Sequence, residues 1–232
     1  MGGRGAASGH SKVGKAGGGG LPAKLLNNGS IQDAVNAINN KYDTNIQLGP
    51  MPKNINTGEV KQFLSGVDKV FHDFPAARGE IEYIGFGTSL RSPVRGAKIA
   101  AQTSRKDKAI RLGDFYTEKD TILNITRMHS AEQQGAHEAA HAYANSVWRK
   151  RGFEGRAPEA QVVFDALSRS GALHSIKAEK EALRTISWYA SKDKSANGYR
   201  EAFAEAISKT ITKGENASPL ARAIYKGAKN LQ

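Results

Sequence analysis

The sequence predicts an α+β protein: helices first, then a small antiparallel or mixed sheet, then a mostly helical C-terminal half. Three observations carry that expectation. Apolar residues recur at helical spacing before residue 75 and again after residue 130. Between these regions, three short runs alternate in part and read as strands. Helices and strands are segregated along the chain rather than interleaved, which is an α+β order.

The elements follow in sequence. Residues 1–20 read as a disordered cationic tail, with glycines at 17–20 and Arg4, Lys12 and Lys15 supplying charge. A helical segment follows over residues 21–78. In it Ser30 caps a helix over 30–42 carrying Ile31, Val35, Ile38 and Tyr42. Gly49, Pro50 and Pro52 mark a loop over 44–57. A second helix runs over 58–74 with Val60, Leu64, Val67, Val70 and Phe71 on one face, and Pro75 and Gly79 end it. Strands are expected over 80–88, 96–103 and 109–112, the last two joined by the charged turn Ser104-Arg105-Lys106-Asp107-Lys108. The Ala-rich stretch from Ser130 to about Val147 predicts a helix, broken over 152–156. Further helices are expected over 158–170, 174–189, 201–212 and 220–231, with a polar loop at 193–198.

Composition narrows the chemistry. The 232 residues contain no cysteine, so thiolate metal ligands, disulfides and a cysteine nucleophile are excluded. Any metal must be held by imidazole and carboxylate. No stretch is long and apolar enough to span a membrane, and the Gly-rich N-terminus lacks the apolar core of a secretory signal. The net charge of +12 favours polyanionic neighbours, so non-specific nucleic-acid contact through a basic surface is one expectation. The basic residues are spread along the chain, and no nucleic-acid motif accompanies them.

The chemistry concentrates in His137-Glu138-Ala139-Ala140-His141. On a helix the two histidines lie on one face, one turn apart, within reach of one ion. Neutral imidazole suits zinc. Glu138 is placed to take a proton from a water activated by that ion and to return it to a leaving amine. Catalytic zinc usually has three protein ligands. A third histidine six residues on is absent, since position 147 is valine. Glu154 and Glu159 are nearby carboxylates, but Glu201 is the better candidate. Glu201 and Glu205 sit one turn apart among Ala202, Ala204 and Ala206, which permit close approach. Glu201 would ligate, and Glu205 would accept from the far N–H of a ligating imidazole.

The pairing of His137-Glu138-Ala139-Ala140-His141 with Glu201-Ala202-Phe203-Ala204-Glu205 resembles the gluzincin-type zinc metallopeptidases related to the anthrax lethal factor catalytic domain, a group with similar domains in phage and mobile-element proteins. The resemblance covers about residues 80–212 and implies a zincin-like domain over 79–232. It implies that Zn²⁺ is held by His137, His141 and Glu201, with Glu138 as general base. It also implies a tyrosine that supports the oxyanion, in a Ser-x-Tyr-Ala setting that Ser187-Trp188-Tyr189-Ala190 matches. Tyr189 stands farther from Glu201 than the family spacing, which makes residues 192–198 a local insertion; Tyr199 is the competing tyrosine. Family members pair extended substrate with an edge strand above the active-site helix, a role that falls on residues 97–103 here.

The expected function is therefore zinc-dependent hydrolysis of peptide bonds in a protein or peptide substrate, encoded by a phage or mobile element. The expected location is the host cytoplasm or a virion. Two other readings stand beside it: a catalytically silent zincin-fold protein with a structural or DNA-associated role, and a toxin effector protease.

Overall fold

The computed structural model describes residues 19–86, 101–113, 130–151, 156–192 and 199–232. The expected strand residues 87–88 and 96–100, most of the N-terminal tail, the break after residue 151 and the 193–198 loop lie outside them.

Local capping sets where the helices begin. Helix α1 is a short segment, Ala23–Asn28. At the start of α2 (Ile31–Tyr42), the Ser30 hydroxyl accepts from the Asp33 N–H while the Asp33 carboxylate accepts from the Ser30 N–H, a reciprocal capping box. Helix α3 (Thr57–Asp73) begins at Asn56, whose side chain accepts from the Glu59 N–H. A 3-10 turn at Pro75–Glu80 then leads toward the sheet. Helices α4 (Ala131–Arg151), α5 (Pro158–Arg169), α6 (Ile176–Ile186), α7 (Arg200–Lys213) and α8 (Pro219–Lys229) form the C-terminal half. Proline opens α5 and α8, where its missing N–H costs nothing.

Among the described residues the sheet has four strands in the order β1-β2-β4-β3: Gln47–Leu48, Tyr83–Gly85, Ala109–Leu112 and Ala101–Ser104. It is mixed. Strand β2 is parallel to both β1 and β4, and only β3 and β4 are antiparallel. An all-antiparallel sheet would have joined β2 to β3 by a tight hairpin. Instead β4 takes the place beside β2, and β3 stands at the end of the order among the described residues. Strand β1 lies inside the expected 44–57 loop. At two residues it has too little pattern to be read locally, and its hydrogen bonds come from β2.

The core gathers around α4, which packs against α3, α7, β3 and the 3-10 turn. Phe63 and Phe71 of α3, Phe74, Tyr143 of α4 and Phe203 of α7 are fully buried. The Tyr143 ring stacks on Phe203 at 6.2 Å between centroids and tilts against Phe74 at 4.6 Å. Its hydroxyl donates to the Ala228 carbonyl at 2.7 Å, tying α4 to α8. Helices α3 and α4 cross backbone to backbone. A methyl group on Gly66 would collide with the Glu132 carbonyl, and one on Gly135 with the Phe63 carbonyl. Only glycine fits at that crossing. The segment ahead of residue 79 thus seats the motif helix directly.

Candidate metal centre

Tyr143 lies two residues beyond His141, about 200° around the helix. Tyr143 packs on Phe203 of α7 from one side of α4, and His137 and His141 meet Glu201 of the same helix from another. Helix α7 approaches that face through small residues, Ala202, Ala204 and Ala206, all fully buried. The result is a cluster of His137, His141 and Glu201 whose ligand atoms lie within 4.8 Å of one another.

The distances within the cluster are specific. The Nε2 atoms of His137 and His141 face each other at 3.1 Å. Glu201 places Oε2 3.3 Å from His137 Nε2 and Oε1 3.5 Å from His141 Nε2. Donors around a four-coordinate zinc with bonds of about 2.0–2.1 Å stand about 3.3 Å apart. Two imidazole nitrogens that close repel unless a proton or a cation lies between them. The donor set and its spacing fit a metal ion, and the cluster could hold one.

The surroundings support the three donors. Glu205 is fully buried and sets Oε1 3.4 Å from His137 Nδ1, an electrostatic contact that is long for a hydrogen bond. Burial works to lower the His137 pKa. The facing carboxylates of Glu201 and Glu205 and the nearby charge of Glu138 outweigh it, so that pKa lies well above the ordinary histidine value. Burial alone would raise the Glu201 carboxyl. The charge on His141 and hydrogen bonds from both histidines prevail and hold it far below the usual carboxylate range.

Of the site residues expected from sequence, His137, His141, Glu201, Glu205 and Glu138 are brought together on α4 and α7. Glu138 is buried, and the Thr103 hydroxyl of β3 stands 2.6 Å from its Oε2. Glu159 is buried on α5 and is not part of the cluster, and Glu154 lies outside the described residues. Tyr189 stands in the turn after α6 and is 49% exposed. The Tyr199 hydroxyl donates to Glu179 at 2.8 Å, which commits it away from the cluster. Tyr199 also takes a left-handed φ of 73° as the residue before α7, directly ahead of Arg200 and Glu201.

Two features were not read from sequence. Arg200 donates to the Asn145 side chain at 2.9 Å and lies 3.4 Å from His141 Nδ1. Asn145 follows His141 by one helical turn, so its placement on the same face was available in the spacing. Thr103 was not: its contact with Glu138 spans 35 residues and depends on the sheet. A separate cleft of about 580 Å³ opens at the β1–β2 edge between Tyr42, Asn45, Gln47, Arg78 and Tyr83, and no cluster residue lines it. Among the described residues no helix is long and apolar enough to cross a membrane. No protein family, curated protein or solved structure matches this chain.

Proposed function

We propose that this chain is a zinc-dependent peptidase, encoded by a phage or mobile element, with His137, His141 and Glu201 as the metal ligands. The observation that carries the reading is the triangle of donor atoms at 3.1, 3.3 and 3.5 Å, the spacing of ligands around one small ion. Two imidazoles, one carboxylate and no thiolate make a hydrolytic donor set. When bound, zinc supplies Lewis acidity to a carbonyl and lowers the pKa of water. Glu138 takes the proton of the attacking water and delivers it to the leaving amine. Glu205 fixes the His137 ring by facing its Nδ1. Strand β3 forms an edge of the sheet against α4, where extended substrate adds as a further strand. Tyr189, half-exposed, supplies the hydroxyl for the oxyanion.

The test is metal content by mass spectrometry, followed by digestion of an unfolded protein mixture with wild type and Glu138→Ala. The expected result is about one zinc per chain in both proteins, with cleavage only by wild type. A wild type that takes up no metal would sink the proposal.

The second reading, a silent relative of such enzymes that binds nucleic acid, draws on the net charge of +12 and on the run Arg149-Lys150-Arg151 ending α4. Zinc uptake without cleavage, together with DNA binding that weakens steeply with salt, would favour it.

A further inference from the structure

Glu138 is a buried carboxylate whose neighbour outside the cluster comes from the edge of the sheet. The Thr103 oxygen lies 2.6 Å from Glu138 Oε2 and 2.9 Å from the Glu138 backbone carbonyl. A hydroxyl has one proton to donate. The shorter contact has the length of a charge-assisted O–H···O⁻ bond, so that proton belongs to the carboxylate. Threonine is branched at Cβ and stiff at χ1, which makes it a firmer support than serine in the same place.

The strand that carries Thr103 is itself fastened. Thr103 pairs with Ile110 in the antiparallel β3–β4 ladder. In the turn that follows, the Arg105 guanidinium lies 4.1 Å over the Trp148 ring, and the Arg149 guanidinium donates to the Arg105 carbonyl at 2.5 Å. Trp148 lies about 15 Å along α4 from Glu138. The hairpin is therefore held at two separated points on the helix and has little freedom to slide along it.

We infer that Thr103 is a positioning residue for Glu138, holding one carboxylate oxygen against the edge strand and leaving the other for the reacting water. The inference rests on the peptidase reading for its effect on turnover, but its geometric content stands apart from activity. It joins two parts of the site. The strand that receives substrate is also the strand that orients the base, so substrate register and base orientation are set by one element.

Three proteins test it: wild type, Thr103→Val, which keeps the shape and loses the proton, and Thr103→Ser, which restores the hydroxyl. Crystal structures of each, with and without zinc, read the Glu138 side chain directly. Thr103→Val is expected to keep its zinc and its KM, to lose about 10-fold to 100-fold in kcat, and to show Glu138 in more than one rotamer. Thr103→Ser is expected to recover most of kcat and a single rotamer. Thr103→Ala gives the same readout should the valine variant fold poorly. An unchanged kcat with one Glu138 rotamer in Thr103→Val overturns the inference. So does a loss shared equally by the valine and serine variants, which would assign Thr103 to packing alone. If wild type cleaves no peptide, the peptidase reading fails, while the Glu138 rotamers still decide the role of Thr103.

Discussion

Helix α4 and the α6–α7 connection were both expected to carry catalytic groups, and the fold treats them in opposite ways. Helix α4 is enclosed: α3, α7 and the sheet cover it, and His141 is only 7% exposed. The start of the connection sets two aromatic rings partly in solvent. Trp188 and Tyr189 are 53% and 49% exposed, and the next tyrosine, Tyr199, is turned to Glu179. The contrast teaches that helical spacing converts directly into side-chain geometry, whereas spacing across a connection does not. The i, i+4 pair on α4 had one face to occupy. A tyrosine named from a four-residue setting could end in many places.

The sharpest way to break this comparison is to remove ligands from its enclosed side. His141→Ala and Glu201→Gln are each expected to abolish stoichiometric zinc, measured by calorimetric titration of metal-free protein. Retention of tight binding by Glu201→Gln would detach α7 from the site. On the open side, Tyr189→Phe is expected to lower kcat by about 10²–10³-fold with zinc retained, the scale of one lost oxyanion donor. Tyr199→Phe should instead cost about 1 kcal/mol of stability in urea unfolding and leave kcat unchanged. The reverse pattern would exchange the two tyrosines.

Smaller effects probe what encloses α4. Gly66→Ala or Gly135→Ala forces two backbones apart, and each is expected to lose about 3 kcal/mol in denaturant unfolding. A neutral result would mean that the helices do not cross as closely as described. Last comes pH. The raised His137 pKa means that the metal must displace a proton, so zinc affinity should rise by about tenfold per pH unit until that pKa is passed. In the metal-free protein the sign is opposite. The stabilising contact of protonated His137 with its carboxylates is complete below about pH 6.5 and is lost as pH rises through the folded pKa. Zinc affinity that does not change with pH would remove His137 from the ligand set.

Much of the helical plan was legible. The expected helices over 30–42, 58–74, 158–170, 201–212 and 220–231 match α2, α3, α5, α7 and α8 to within a residue or two, because caps such as Ser30 and starts such as Pro158 act locally. Strand β4 was read at its observed bounds. Helix α4 extends to Arg151, beyond the expected Val147, since its last turn is polar and lacks the apolar signal. Helix α1 and strand β1 are too short to show a period. The parallel pairing of β2 with β4 and the contact of Thr103 with Glu138 are non-local, and nothing near either residue specifies them. The His-His-Glu grouping was legible because each half sits on a helix with its own internal spacing. What brings the halves together is the packing of α7 on α4, which no local pattern specifies.

The glycine crossing of α3 and α4 bears on how the molecule opens. The two backbones are in direct contact there, and their amides are expected to exchange with solvent through one shared opening event. An ion bound to folded protein alone stabilises against that event by mass action. Zinc held at His137 would then slow hydrogen exchange along α3, a helix that contributes no ligand.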